Sequence, residues 1–170
     1  MVRVLRGAAR SLTVAVLCLT YPVCGQQGFP QIAGETLAGK KVELPGAFSA
    51  QTVVVIIGFT HGSQKQTKEW GQRLKGQEDV WSVAVLEDAP RLVRGMAVHG
   101  IKSGTPKEEY DRFVVVVKGE KELKEAARFE KPDDAYLMVV DGKGAIRWQF
   151  HGPVTDAAVQ EVQGQAPHPK

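Results

Sequence analysis

The chain has 170 residues, 43% of them hydrophobic, enough to bury the core of one domain and too few for two. Its 22 Lys and Arg stand against 19 Asp and Glu. Three of the basic residues, Arg3, Arg6 and Arg10, lie at the start, so the remainder is balanced. It carries no basic stripe with interleaved aromatics, which excludes an electrostatic case for nucleic acid.

Met1–Arg10 contains no acid, and Leu12–Leu19 is an apolar run. Tyr21-Pro22 and the small residue Gly25 follow. That order predicts a secretory signal peptide, a retained N-terminal anchor being the alternative. The run is shorter than the roughly 20 apolar residues that span a bilayer. The expected organisation is a signal peptide over 1–25, a domain over 26–163 and a flexible tail over 164–170. It implies an exported protein, periplasmic or extracellular, with no transmembrane segment once the leader is removed. Both cysteines, Cys18 and Cys24, fall in the leader, so the mature chain forms no disulfide. Tyr21-Pro22-Val23 matches poorly the small residues a lipid-modified Cys24 would need before it.

Phe29 to Pro45, broken by Gly34 and Gly39 and alternating at Val42-Glu43-Leu44, reads as a strand pair or an irregular entry segment. Thr52 to Phe59 is continuous, apolar and β-branched, as a strand buried on both faces should be. Ser63 is a candidate cap for a helix over Gln64–Lys75, with Trp70 and Leu74 facing the core and Gly76 ending it. Val80–Leu86 predicts a second buried strand, Arg91–Met96 a short helix after Pro90, and His99–Pro106 a loop. Pro106–Arg112 has helical composition. Val114–Val117 predicts a strand, and Glu120–Phe129 a helix burying Leu123, Ala126 and Ala127. Ala135–Val140 and Ala145–Phe150 flank the turn Asp141–Gly144 as a hairpin, and Thr155 caps a last helix over Asp156–Val162. The fold class is therefore α/β, a mixed central sheet with helices on both faces.

Two stretches carry a family resemblance that extends over Phe29–Gln163. Val53–His61 resembles the strand and active-site turn of the thioredoxin-like superfamily. Ala135–Gly152 is similar to that superfamily's terminal hairpin. Peroxiredoxins and exported thiol reductases place a cysteine just after the counterpart of Phe59-Thr60, where this chain reads Gly62-Ser63-Gln64. Copper chaperones of cytochrome-oxidase assembly share the Gly-Phe-Thr-His string but follow it with two cysteines, at positions that are Gly62 and Gln66 here. Their later histidine ligand has no counterpart among Lys131–Asp134. The chain most resembles the thioredoxin-fold ATP synthase assembly factors, which lack the redox motif. Those factors also share a tryptophan like Trp70 and an end like Tyr136–Asp141 and Ile146–Trp148. Redox members place a cis-proline before the strand facing the active-site turn, and Ala135 fills that slot here.

Thiol exchange needs a thiolate that Gly62 and Gln66 cannot supply, so neither disulfide exchange nor peroxidase activity is expected. The N–H groups from Ser63 to Gln66 open a helix with no acidic side chain in sequence to receive them; capping by Ser63 and solvent is the simpler reading, an anion site the other. His61, at the mouth of the buried strand, lacks the three or four ligands of a metal site, with His99, His151 and carboxylates the remaining donors. Asp133-Asp134 reads as a solvated loop, and Trp70, Trp81 and Trp148 as core or subsurface fillers. No cofactor or metal is expected. The resemblance implies a substrate groove formed by the active-site turn and the loop before the hairpin. In this chain that is Thr60, His61, Gly62, Ser63, Gln66, Asp133, Asp134 and Ala135. The expected function is non-redox binding of a protein or extended peptide in the envelope, as an assembly or chaperone-like factor. A purely structural domain, or weak copper handling through His61, is the alternative.

Overall fold

The computed structural model describes residues 27–48, 51–76 and 79–165. The expected leader, with Cys18 and Cys24, lies outside them.

Seven strands form one mixed sheet in the order β2-β1-β5-β4-β3-β6-β7. β1 (Ile32–Thr36) and β2 (Lys41–Leu44) are the antiparallel pair at the entry. The centre is β3 (Val53–Gly58), parallel to β4 (Val80–Val85), which is parallel to β5 (Phe113–Val116). β6 (Tyr136–Val140) runs antiparallel to β3, and β7 (Ile146–His151) antiparallel to β6. Parallel neighbours need a crossover, supplied by α1 (Gln64–Arg73) and α2 (Arg91–Gly104). α3 (Glu120–Ala127) links β5 to β6, and α4 (Asp156–Gln165) closes the chain.

β3 shows why its sequence has no polar alternation. Val53, Val55 and Ile57 point to one face, where they pack with Phe59, Val83, Val114, Leu123, Tyr136 and Met138. Val54 and Ile56 point to the other, against Trp70, Leu74, Leu137, Val159 and Val162. Successive side chains alternate sides, and each side of the sheet carries its own helix layer. Trp70 is fully buried, while Trp81 and Trp148 are partly buried against the two cores.

The strand pair, the α1 core face and the terminal hairpin follow the sequence reading, as do the buried face of α3 and the Thr155 cap, whose Oγ1 accepts the Ala158 N–H at 3.2 Å. Four readings need correction. α2 runs to Gly104, so most of the expected 99–106 loop is helix. Its last carbonyls are satisfied from outside the backbone ladder, where Tyr110 Oη donates to Lys102 O and Thr105 Oγ1 to Ile101 O, both at 2.8 Å. Those bonds offset the cost of its glycines. The stretch 106–112 forms only a 3-10 turn, Lys107–Glu109. α4 continues through Gly164 to Gln165. Ser63 precedes α1 without capping it through its side chain.

Candidate functional site

The turn from β3 into α1 and the loop before β6 meet at the carboxyl end of the parallel strands. This is where open α/β sheets place their ligand sites. Phe59 anchors the turn from below, edge-on to Phe129 at 5.1 Å and to Tyr136 at 5.4 Å. The next residue, Thr60, clamps both segments. Its Oγ1 is directed at Pro132 O and Asp133 Oδ1, 3.0 Å from each, and accepts the Ser63 N–H at 3.3 Å. Ser63 is fully buried, and its Oγ donates to Thr60 O at 2.8 Å instead of capping α1. The Gln64 N–H reaches His61 O at 3.2 Å. Thus two of the amides that the sequence left open, those of Ser63 and Gln64, are met by the turn itself.

Asp133 and Asp134, expected to be a solvated pair, do separate work. The Asp133 carboxylate lies over Gly62 so closely that a Cβ there would collide with it. Position 62 is where redox relatives of this fold carry a cysteine, and here an internal carboxylate sits against it. Asp134 is half-buried and faces inward. Its Oδ1 accepts from Gln66 Nε2 at 3.4 Å, and its Oδ2 pairs with His151 Nδ1 at 2.8 Å. The His151 ring stacks on Tyr136 at 5.2 Å, with Nε2 3.7 Å from Glu130 Oε2. Tyr136 Oη in turn accepts the N–H groups of Glu130 and Lys131, each at 2.8 Å.

A ring of hydrogen bonds ties α1 to the hairpin. Gln66 Oε1 accepts the Ala135 N–H at 3.0 Å, Ala135 O accepts the Gly152 N–H at 3.0 Å, and Gly152 O accepts Trp70 Nε1–H at 3.0 Å. Gln66 and Trp70 are four residues apart, so they share one face of α1 and close the ring.

All eight expected residues therefore converge, but not as one exposed surface. His61, Gly62 and Asp133 are exposed, Thr60, Gln66 and Asp134 are partly covered, and Ser63 and Ala135 are buried. Among the described residues no three His, Cys, Asp or Glu side chains are placed to share a metal ion. His151 entered the sequence reading only as a possible metal donor. The register that pairs it with Tyr136 passes a bulge at Val139/Val140, so counting back from the Asp141–Gly144 turn misplaces it by one. Sequence reasoning also missed a cleft of about 590 Å³ beside α3, lined by Glu87, Asp88, Glu120, Lys124, Arg128 and Phe129. Charged side chains within it are internally paired, with Glu87 Oε2 accepting the Glu120 N–H at 2.7 Å and Lys124 bound to Glu120.

Comparison with known proteins decides the family. The model of the ATP10 protein family matches residues 27–163. The chain belongs to the ATP10 protein family. This agrees with the resemblance to thioredoxin-fold ATP synthase assembly factors carried by Trp70 and the terminal hairpin. No curated protein matches the sequence. Solved structures share the fold at low identity. The peroxiredoxin-like protein from Aquifex aeolicus is 16% identical with a TM-score of 0.52, covering 82% of this chain and 86% of its own. The exposed lipoprotein thioredoxin Etrx1 from Streptococcus pneumoniae is 16% identical with a TM-score of 0.53, covering 79% and 99%. BsSco, a member of the Sco family of cytochrome c oxidase assembly proteins, is 13% identical with a TM-score of 0.55, covering 82% and 94%. The fold is thioredoxin-like, and this ATP10 family member is an assembly-type protein of that fold.

Proposed function

We propose that the protein is an exported, thiol-independent assembly factor that holds an extended segment of a protein partner at the 60–63 turn and the 133–135 loop. Its place of work on this reading is the periplasm or the extracellular side. The family points to the ATP synthase as the complex served. One observation carries the reading. The groove keeps its position in the thioredoxin fold, while Gly62 and Gln66 replace its cysteines, and the Thr60–Asp133 and Gln66–Ala135 bonds lock it. A surface fixed in advance loses little entropy on binding, and the turn 60–63 carries no thiol. His61 stands on the exposed turn, and weak copper handling through it is the alternative reading.

A host strain lacking the protein should hold less assembled ATP synthase on native gels. The wild-type gene and a Cys18→Ser/Cys24→Ser variant should restore it equally. Normal assembly without the protein contradicts the assembly role, and failure of the serine variant contradicts thiol independence.

A further inference from the structure

α1, α3 and α4 each bury side chains against the sheet, and α2 buries none. Leu92 is 91% exposed and Met96 70%. One turn apart, they lie on the same face, with Val93 beside them also exposed. The register Val85↔Val116 of the parallel pair β4/β5 brings exposed Val117 to the same end of the sheet as the start of α2. The helix holds its shape without cover, since Arg94 Nε and Nη2 donate to the carbonyls of Ala89 and Glu87 at 2.9 and 2.8 Å.

Charge distinguishes α2 as well. Its fourteen residues include Arg91, Arg94 and Lys102 and no Asp or Glu. The nearest acids, Asp88 and Glu108, stand outside its ends. A helix of this length spans about 21 Å, and a strip one helix wide falls well short of the roughly 800 Å² a protein partner buries per side. A lipid surface sets no such minimum. A helix with an apolar strip and only cationic charge matches the requirements of an anionic bilayer. We infer that α2 is a membrane-surface helix: Leu92, Val93 and Met96 enter the headgroup boundary, and Arg91 and Lys102 face the lipid phosphates. This carries the groove of the same sheet end toward the membrane, independently of whether a protein partner occupies it.

Hydrogen exchange read by mass spectrometry reports on α2 apart from the leader. On vesicles containing phosphatidylglycerol, amides of 91–104 in protein purified from its host should exchange at least about tenfold more slowly. The protection should vanish at about 0.5 M salt and be absent on pure phosphatidylcholine. Leu92→Ser/Met96→Ser should abolish it, as should Arg91→Glu/Lys102→Glu, with exchange in β3 unchanged. Equal exchange with and without anionic vesicles overturns the inference. So does protection that survives both variants, or protection by a protein fraction and not by vesicles.

Discussion

Gln66 accepts the backbone N–H of Ala135 at 3.0 Å across 69 residues of sequence. A proline in that slot, as in redox members of this fold, has no N–H to satisfy. With alanine there the amide is buried and needs an acceptor, and Gln66, at a position the copper chaperones give to cysteine, provides it. The two departures from the redox pattern are thus physically coupled.

Gln66→Leu leaves that amide unpaired in a buried setting. It should destabilise the protein by about 1–3 kcal/mol, read as a lower denaturation midpoint at unchanged m. A shift below about 0.5 kcal/mol would show that the amide finds water or another acceptor.

Gly62→Ala must push the Asp133 carboxylate away and break its bond from Thr60. The expected cost is about 1–2 kcal/mol. In an Asp133→Ala background the same change should cost less, since the collision is gone. Additive losses in the double-mutant cycle would contradict the contact.

How much of this was readable beforehand depended on sequence separation. β3 was legible because an unbroken β-branched run has few other uses, and the β6–β7 hairpin because Asp141-Gly142-Lys143-Gly144 marks its turn. Of α2 only the first half, Arg91–Met96, was legible; its run to Gly104 was not, because none of its residues is buried to imprint a period and Gly100 and Gly104 read as breaks. Positions 60–66 and 133–135 were placed together by resemblance, but their bonding was illegible. Asp134 looks like a loop acid until α1 brings Gln66 and β7 brings His151 to it. Nothing local marks Ser63 as buried rather than capping.

The Asp141 carboxylate is held below the ordinary aspartate value of 3.8, chiefly by the Ala145 N–H, with Arg147 and the Lys143 N–H adding to it. A group whose folded value is depressed contributes stability above its unfolded value and loses it as pH falls through the folded one. NMR titration should place its midpoint below 3.8, and Arg147→Ala should raise it part of the way. A midpoint at or above that value would contradict the turn geometry.

Export is checked by the mature N-terminus. Mass spectrometry of protein from the native host should find a start near Gln26, following the basic, apolar and small-residue order before it. Intact Met1, or a lipid on Cys24, would overturn the export route.

The groove itself is tested most directly by a photo-crosslinking amino acid placed at position 61. That site is exposed on the turn. The control is position 143, on the hairpin turn at the opposite end of the sheet. Irradiation in the native host should join position 61, and not position 143, to a subunit of the ATP synthase. Adducts from 143 alone, from both positions equally, or from neither would contradict a partner held at the 60–63 turn.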